Sequence, residues 1–138
     1  MSKILLEVIT DHGTLFHQEV DRFLVPTEKG PLEISPLYTT LIAACSPYGV
    51  LKVTVDGKPH YYAMFGGFLE VTPNGARIIA DDLEDGYNID MARAIAARDR
   101  AEDRIARKDT GIDLVRAQAA LYRAVTRIDA KEKSEGGH

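Results

Sequence analysis

The chain has 138 residues, 45% of them hydrophobic, and carries 17 Lys+Arg against 21 Asp+Glu for a net charge of −4. That length suits one ordinary domain, or a small domain with an appendage. No apolar run reaches the roughly 18 residues of a membrane span, the charge is too weakly basic for nucleic-acid binding, and the single cysteine, Cys45, has no partner for an internal disulfide.

The amino terminus enters a strand pattern at once and has neither a secretory nor a transit layout, so the expectation is a protein that stays where it is made. Residues 3 to 82 repeat one grammar, a short run of alternating or β-branched residues followed by turn residues. Lys3 to Thr10 reads as a strand, Asp11-His12-Gly13 as a turn, and Thr14 to Val20 as the return strand. Arg22 to Val25 is apolar enough for burial and stops at Pro26, with Thr27-Glu28-Lys29-Gly30-Pro31 as a loop. Cys45 follows as a small buried hydrophobe. Gly49 to Val55 and His60 to Phe65 flank Asp56-Gly57, and Gly67 to Thr72 and Ala76 to Ala80 flank Asn74-Gly75. Both pairs read as hairpins whose tight turns need positive φ. Gly66-Gly67 marks a bulge or the close approach of another backbone. Several short strands at this spacing predict an all-β sandwich or barrel over residues 1–86.

Asp81, Asp82, Glu84 and Asp85 form an acidic run that reads as a solvated linker rather than a metal site. His12, His17, His60 and His138 are scattered without partners at ligand spacing, so no metal is implied. No nucleophile and base are paired in any recognisable way, and an enzymatic role is the weakest reading.

Residues 87–138 are helical in character. Helix 1, about Asp90 to Arg107, carries Ala92, Ile95, Ala96 and Ile105 as apolar or small positions. Helix 2 repeats Leu114, Leu121 and Ile128 every seven residues, with Ala117 and Val125 between them, which draws one apolar stripe. The break at Lys108-Asp109-Thr110-Gly111 has stop-and-start chemistry: Lys108 suits a helix C-terminus, Gly111 tolerates unusual backbone angles, and Thr110 with Asp113 has capping-box spacing. The pattern therefore predicts an antiparallel two-helix hairpin after the sandwich. Residues 1–86 hold 6 Lys+Arg against 12 Asp+Glu and residues 87–138 hold 11 against 9, so a mildly basic arm follows an acidic body.

Folding the hairpin at residues 109 and 110 places Asp90 and Arg93 beside Arg123, Thr126 and Arg127. Arg123 and Arg127 are four apart, hence on one helix face. Three arginines with one carboxylate form either a solvated ion-pair network of little energetic weight or an anion site, since guanidinium forks match phosphate oxygens.

Three stretches carry a resemblance to a known family. These are Val25-Pro26-Thr27-Glu28-Lys29-Gly30 followed by Leu32 and Ile34; Phe65-Gly66-Gly67-Phe68-Leu69-Glu70-Val71; and a helical hairpin containing Leu121-Tyr122-Arg123-Ala124 and Arg127. In this order, over nearly the whole chain, they resemble the epsilon subunit of bacterial F-type ATP synthases. The chain departs from that family's usual Ile-Leu-Pro-Gly-His stretch at Ile34-Ser35-Pro36-Leu37-Tyr38, and Tyr48 looks like an insertion before Gly49. The resemblance implies a non-catalytic subunit of an ion-translocating complex, peripheral on the cytoplasmic face of the bacterial cell membrane. Its partners would be the gamma subunit, the c-ring and the alpha/beta catalytic head. It further implies that the hairpin either folds on the sandwich or extends along gamma, where it hinders ATP hydrolysis. Some members bind ATP through Ile/Leu-Asp-x-x-Arg-Ala and two arginines four apart. Here that pattern is Ile89-Asp90-Met91-Ala92-Arg93-Ala94 with Arg123 and Arg127. By this similarity Arg93, Arg123 and Arg127 hold phosphates, Asp90 orients Arg93 or the nucleotide, and Glu84 approaches the base or ribose. ATP is then a regulatory ligand, and the same arginines have a rival use against acidic residues of the beta subunit in the extended state. A free-standing small-molecule or peptide-binding β-sandwich with a helical lid is the alternative that the residues leave open.

Overall fold

The structure, a computed structural model, describes residues 2–36, 39–107 and 112–136, and for Ile112 its backbone alone. Among the described residues, ten strands make two five-stranded sheets. The first has the order β2-β1-β9-β8-β5, built from β1 (Ile4–Thr10), β2 (Gly13–Val20), β5 (Leu41–Ala44), β8 (Gly67–Thr72) and β9 (Gly75–Ala80). The second has the order β10-β7-β6-β3-β4, built from β3 (Arg22–Thr27), β4 (Gly30–Ile34), β6 (Gly49–Val55), β7 (Lys58–Met64) and β10 (Leu83–Asp85). All pairings are antiparallel except β1 with β9.

The strands form because their apolar residues recur every second position and meet across the sandwich. Ile4, Leu6 and Val8 of β1, Leu69 and Val71 of β8, and Ile78 and Ala80 of β9 face Phe23, Val25, Leu51, Val53 and Met64 of the second sheet in one buried core. Cys45 belongs to that core at 4% exposure, in agreement with the sequence reading.

Three hairpins share one turn device. Thr10-Asp11-His12-Gly13, Thr27-Glu28-Lys29-Gly30 and Thr72-Pro73-Asn74-Gly75 each pair the Thr with the Gly. In each, the Thr Oγ1 accepts the backbone N–H two residues on, at 3.2 Å. The glycines take φ of +106°, +108° and +139°. This shifts two of the expected turns. Pro26 lies inside β3, opposite Pro31, where β6 no longer pairs beyond Leu24, so its missing N–H breaks no ladder. In the β8–β9 hairpin the central residues are Pro73-Asn74, and Gly75 is the first strand residue. The Asp56-Gly57 turn is as expected, with φ of +52° and +78°.

At Gly66-Gly67 the chain crosses from the second sheet to the first. A Cβ on Gly67 would meet the Ile79 carbonyl oxygen and lie 2.9 Å from Ala80 Cα, the close backbone approach that the glycine pair signalled.

The acidic run is not a solvated linker. Leu83–Asp85 is strand β10, which pairs with β7, and Asp85 caps the 3₁₀ turn Gly86–Asn88 by accepting the Tyr87 N–H at 3.0 Å. Asp85 also meets His60 Nε2 at 3.1 Å. The chain then enters α1 (Met91–Ala106) and α2 (Ile112–Ser134). The stop-and-start signals at 108–111 lie outside the described residues.

The helices meet through small residues. Ala94 and Ala101 of α1 and Ala117 and Ala124 of α2 are fully or almost fully buried, while Ala92 and Ala96 are exposed and Val125 is 45% exposed. Leu114, Leu121 and Ile128 are half-buried along the seam. Alanines at the contact positions let the axes approach closely, and the larger side chains flank the seam instead of filling it. The other face of α2 sits on β7 and β6: Ala130 packs with Ala63, Phe65, Ile89 and Ala94, joined by Tyr48, Val50 and Ile128. A Cβ on Gly86 would overlap Ser134 and lie 2.7 Å from Ala130 O and 2.8 Å from Tyr61 O, so this glycine sets how near α2 comes to the sheet.

Candidate functional site

The site lies where three elements end together: β10, the first turn of α1, and the last third of α2. Asp90 is the N-cap of α1. Its extended backbone leaves its carboxylate free to accept the Arg93 N–H at 3.1 Å. That cap fixes the direction of α1 and points Arg93 to the rim of a cleft of about 520 Å³. The wall is formed by Glu84, Asn88, Ile89, Asp90, Arg93, Ala94, Ala97, Arg100 and Arg127.

Arg127 joins the helical arm to the sandwich. Its Nε lies 3.0 Å from both Glu84 carboxylate oxygens and its Nη2 lies 2.8 Å from Oε2, a forked pair between α2 and β10. Both side chains are about one-third exposed, so the pair is partly shielded from water. The hydrogen bonds that Arg127 donates to Glu84, helped by the charges of Glu84 and Asp82, raise its pKa against the opposing effect of burial. Its positive charge is therefore secure.

Of the residues expected from the sequence, six converge on the cleft: Glu84, Ile89, Asp90, Arg93, Ala94 and Arg127. Ile89 and Ala94 are its buried floor. Arg123 is not on this wall. It stands one helical turn away, its guanidinium carbon 5.0 Å from the centre of the Phe65 ring, and Arg127 lies at the same distance from that ring. Glu84 is engaged with Arg127 in this state, and Asp90 orients Arg93 through the backbone.

Arg100 and Asn88 also line the cleft and were not singled out from the sequence. Arg100 lies seven residues after Arg93, two turns along the same face, so helical spacing could have found it. Phe65 carried no sequence signal for contact with cations.

The cleft thus offers three guanidinium groups, at Arg93, Arg100 and Arg127, against the carboxylates of Glu84 and Asp90. This is a geometry for an anion with several oxygens and a further donor group. A second opening, of about 770 Å³, lies beside β7 and collects Phe16, His60, Tyr62 and Tyr87. Phe16 stacks on Tyr62, His60 tilts against Tyr62 and meets Tyr87 edge-on, and Lys58 is the one Lys or Arg on its wall, so it lacks comparable anion chemistry. Among the described residues no group of His, Cys, Asp and Glu is placed to hold a metal ion, and no helix is long and apolar enough to cross a membrane.

Residues 3–86 match the family described as ATP synthase, Delta/Epsilon chain, beta-sandwich domain, and residues 88–132 match ATP synthase, Delta/Epsilon chain, long alpha-helix domain. The chain is 40% identical over 125 residues to an ATP synthase epsilon chain of Desulfitobacterium hafniense, covering 91% of this chain and 93% of that one. It is also 40% identical over 133 residues to the epsilon chain of Syntrophomonas wolfei, with 96% of each chain covered. Its fold is similar to a chain in the Euglena gracilis mitochondrial ATP synthase, with a TM-score of 0.79 at 19% identity over 98% of this chain and 82% of that chain. A chain of the Tetrahymena thermophila mitochondrial ATP synthase central stalk and c-ring aligns with a TM-score of 0.63 at 17% identity, over 94% of this chain and 97% of that chain.

Proposed function

The chain belongs to the delta/epsilon family of ATP synthase subunits, non-catalytic components of the central stalk, and on that premise we propose that its hairpin is a regulatory arm held on the sandwich by ATP. The sandwich, residues 1–86, meets the gamma subunit and the c-ring. Through them the subunit is held peripherally at the cytoplasmic face of the bacterial cell membrane. The arm, residues 87–138, alternates between the seat on β6 and β7 and an extended position against the alpha/beta head, where it opposes ATP hydrolysis.

One observation carries this reading: the cleft is built jointly by β10, α1 and α2. A ligand that needs Glu84 of the sandwich as well as Arg93 and Arg127 of the helices finds its complete site only while the hairpin is seated. Binding therefore favours the seated state by mass action, about 2.7 kcal/mol at a hundredfold excess over Kd, with no hydrolysis by this chain. The phosphates lie against Arg93 and Arg127 in the cleft and extend to Arg123, one helical turn beyond its wall, and Arg127 exchanges part of its Glu84 pairing for them. Because the seat is one small cluster, in which Ala130 and Ile128 meet Ala63, Phe65, Ile89, Tyr48 and Val50, with one forked ion pair beside it, a shift of that size is enough to move the equilibrium.

Calorimetric titration of ATP into the isolated chain tests this. Saturable one-to-one binding, weakened tenfold or more in both Arg123→Ala and Arg127→Ala, is the expected result. Affinity unchanged in both variants overturns the assignment of the arginines to the nucleotide.

A further inference from the structure

Phe65 stands where the chain leaves β7 for the crossing to β8. It is 4% exposed, and its N–H is tied to the Asp82 carbonyl at 2.9 Å. A side chain so placed has no freedom to follow its neighbours, yet two cations of α2 lie 5.0 Å from its ring centre. They are four residues apart, so one ring contacts successive turns of the helix and resists both rotation and sliding of α2 on its seat. A guanidinium that meets an aromatic ring through its face keeps its in-plane N–H donors for other partners. Arg127 uses those donors on Glu84, whereas Arg123 has no side-chain hydrogen bond among the described residues.

We propose that Phe65 is a positioning residue for the arginine pair, one that docks α2 and at the same time presents Arg123 with its donors unspent toward an anion. The identity of that anion as a nucleotide phosphate rests on the function proposed above. The action of Phe65 on the two arginines does not, because it operates in the unliganded chain.

The test is a double-mutant cycle in the full ligand-free chain, read by amide hydrogen exchange in α2. Phe65→Leu keeps an apolar side chain and removes the ring; Arg123→Ala removes one cation. Each single variant is expected to speed exchange over Ala117–Ala130, and the double variant is expected to fall short of the product of the two by about three- to tenfold. Fully multiplicative effects overturn the proposal. Should Phe65→Leu loosen the whole fold, the unmutated chain still decides by proton resonance: the side-chain Hδ protons of Arg123 and Arg127 are expected upfield from ring current, and ordinary positions overturn the proposal. The same cycle repeated in ATP affinity separates the two readings. Coupling in the free chain with no ATP binding by the parent leaves Phe65 in its role and removes the nucleotide, while firm ATP binding beside multiplicative exchange does the reverse.

Discussion

The Cys45 thiol is 4% exposed, and burial, with the charge of Asp81 adding to it, pushes its pKa from the ordinary 9.0 up to about 11. The thiolate is the reactive form, so alkylation of the native chain at neutral pH should be far slower than of the denatured chain. The folded-state pKa is raised, so this group costs nothing below pH 9, where the thiol is protonated folded or unfolded. Stability falls as pH rises from about 9 to 11, because the unfolded thiol ionises first. Tyr62, pushed up to about 12 by burial and then by Asp85, acts in the same sense over a slightly higher range. A pH series of urea melts should therefore show a shallower alkaline decline in Cys45→Ala, by up to about 2 kcal/mol at pH 11. An unchanged slope would mean the thiol is less shielded than its 4% exposure indicates.

At the scale of elements, what could be read in advance depended on how local the cause was. The Asp56-Gly57 hairpin was legible because its two central residues alone satisfy a turn with positive φ. The Thr-x-x-Gly hairpins were misplaced by a residue or broken at Pro26, since the Thr hydroxyl that organises the turn carries no periodic signal. The parallel pairing of β1 with β9 joins residues some seventy positions apart and was invisible to pattern reading. The acidic run was misjudged because Glu84 and Asp85 gain partners, Arg127 and His60, only after folding. Asp90, Arg93 and Arg127 were legible together because helical spacing and an antiparallel fold-back bring them level, whereas Glu84, Ile89 and Ala94 entered only through the family resemblance. Arg123 was expected among them and stands instead over Phe65.

The seat of α2 is the element with the sharpest steric requirement. A Cβ at Gly86 would be 2.7 Å and 2.8 Å from two backbone carbonyl oxygens, Ala130 O and Tyr61 O, which cannot rotate away as a side chain would. Gly86→Ala should lift the end of α2 while leaving the sandwich core intact, since Gly86 lies outside that core. Limited proteolysis is expected to cut α2 of this variant at least tenfold faster at an unchanged sandwich melting temperature. Equal cleavage rates would show that the helix does not need this close approach.

Across the whole molecule, an acidic sandwich of net −6 carries an arm of net +2. That asymmetry draws the arm to its own body and equally to another acidic surface, and salt weakens both attractions. Among the described residues the seat is held by Ala130 and Ile128 packing against Ala63, Phe65, Ile89, Tyr48 and Val50, the Phe65 ring 5.0 Å from the Arg123 and Arg127 guanidinium carbons, the Tyr48–Tyr122 ring pair at 5.4 Å, the Glu84–Arg127 fork, and Lys131 Nζ donating to Tyr87 O at 2.9 Å. An arm of this kind is stable on a partner surface and marginal without one, which is the requirement for a two-position element. Under the proposed function, a nucleotide in the shared cleft adds the difference that decides between the positions.

The most direct measurement of that claim is a distance between probes on exposed Pro47, beside Tyr48, and exposed Gln118, one turn before Tyr122, each changed to Cys with the buried Cys45 left unlabelled, in the assembled ATP synthase with ATP supplied and then withdrawn. A single short distance with ATP and a second, longer one on withdrawal is the expected result. One unchanging short distance under both conditions would contradict a nucleotide-held arm and leave the hairpin a fixed part of the stalk.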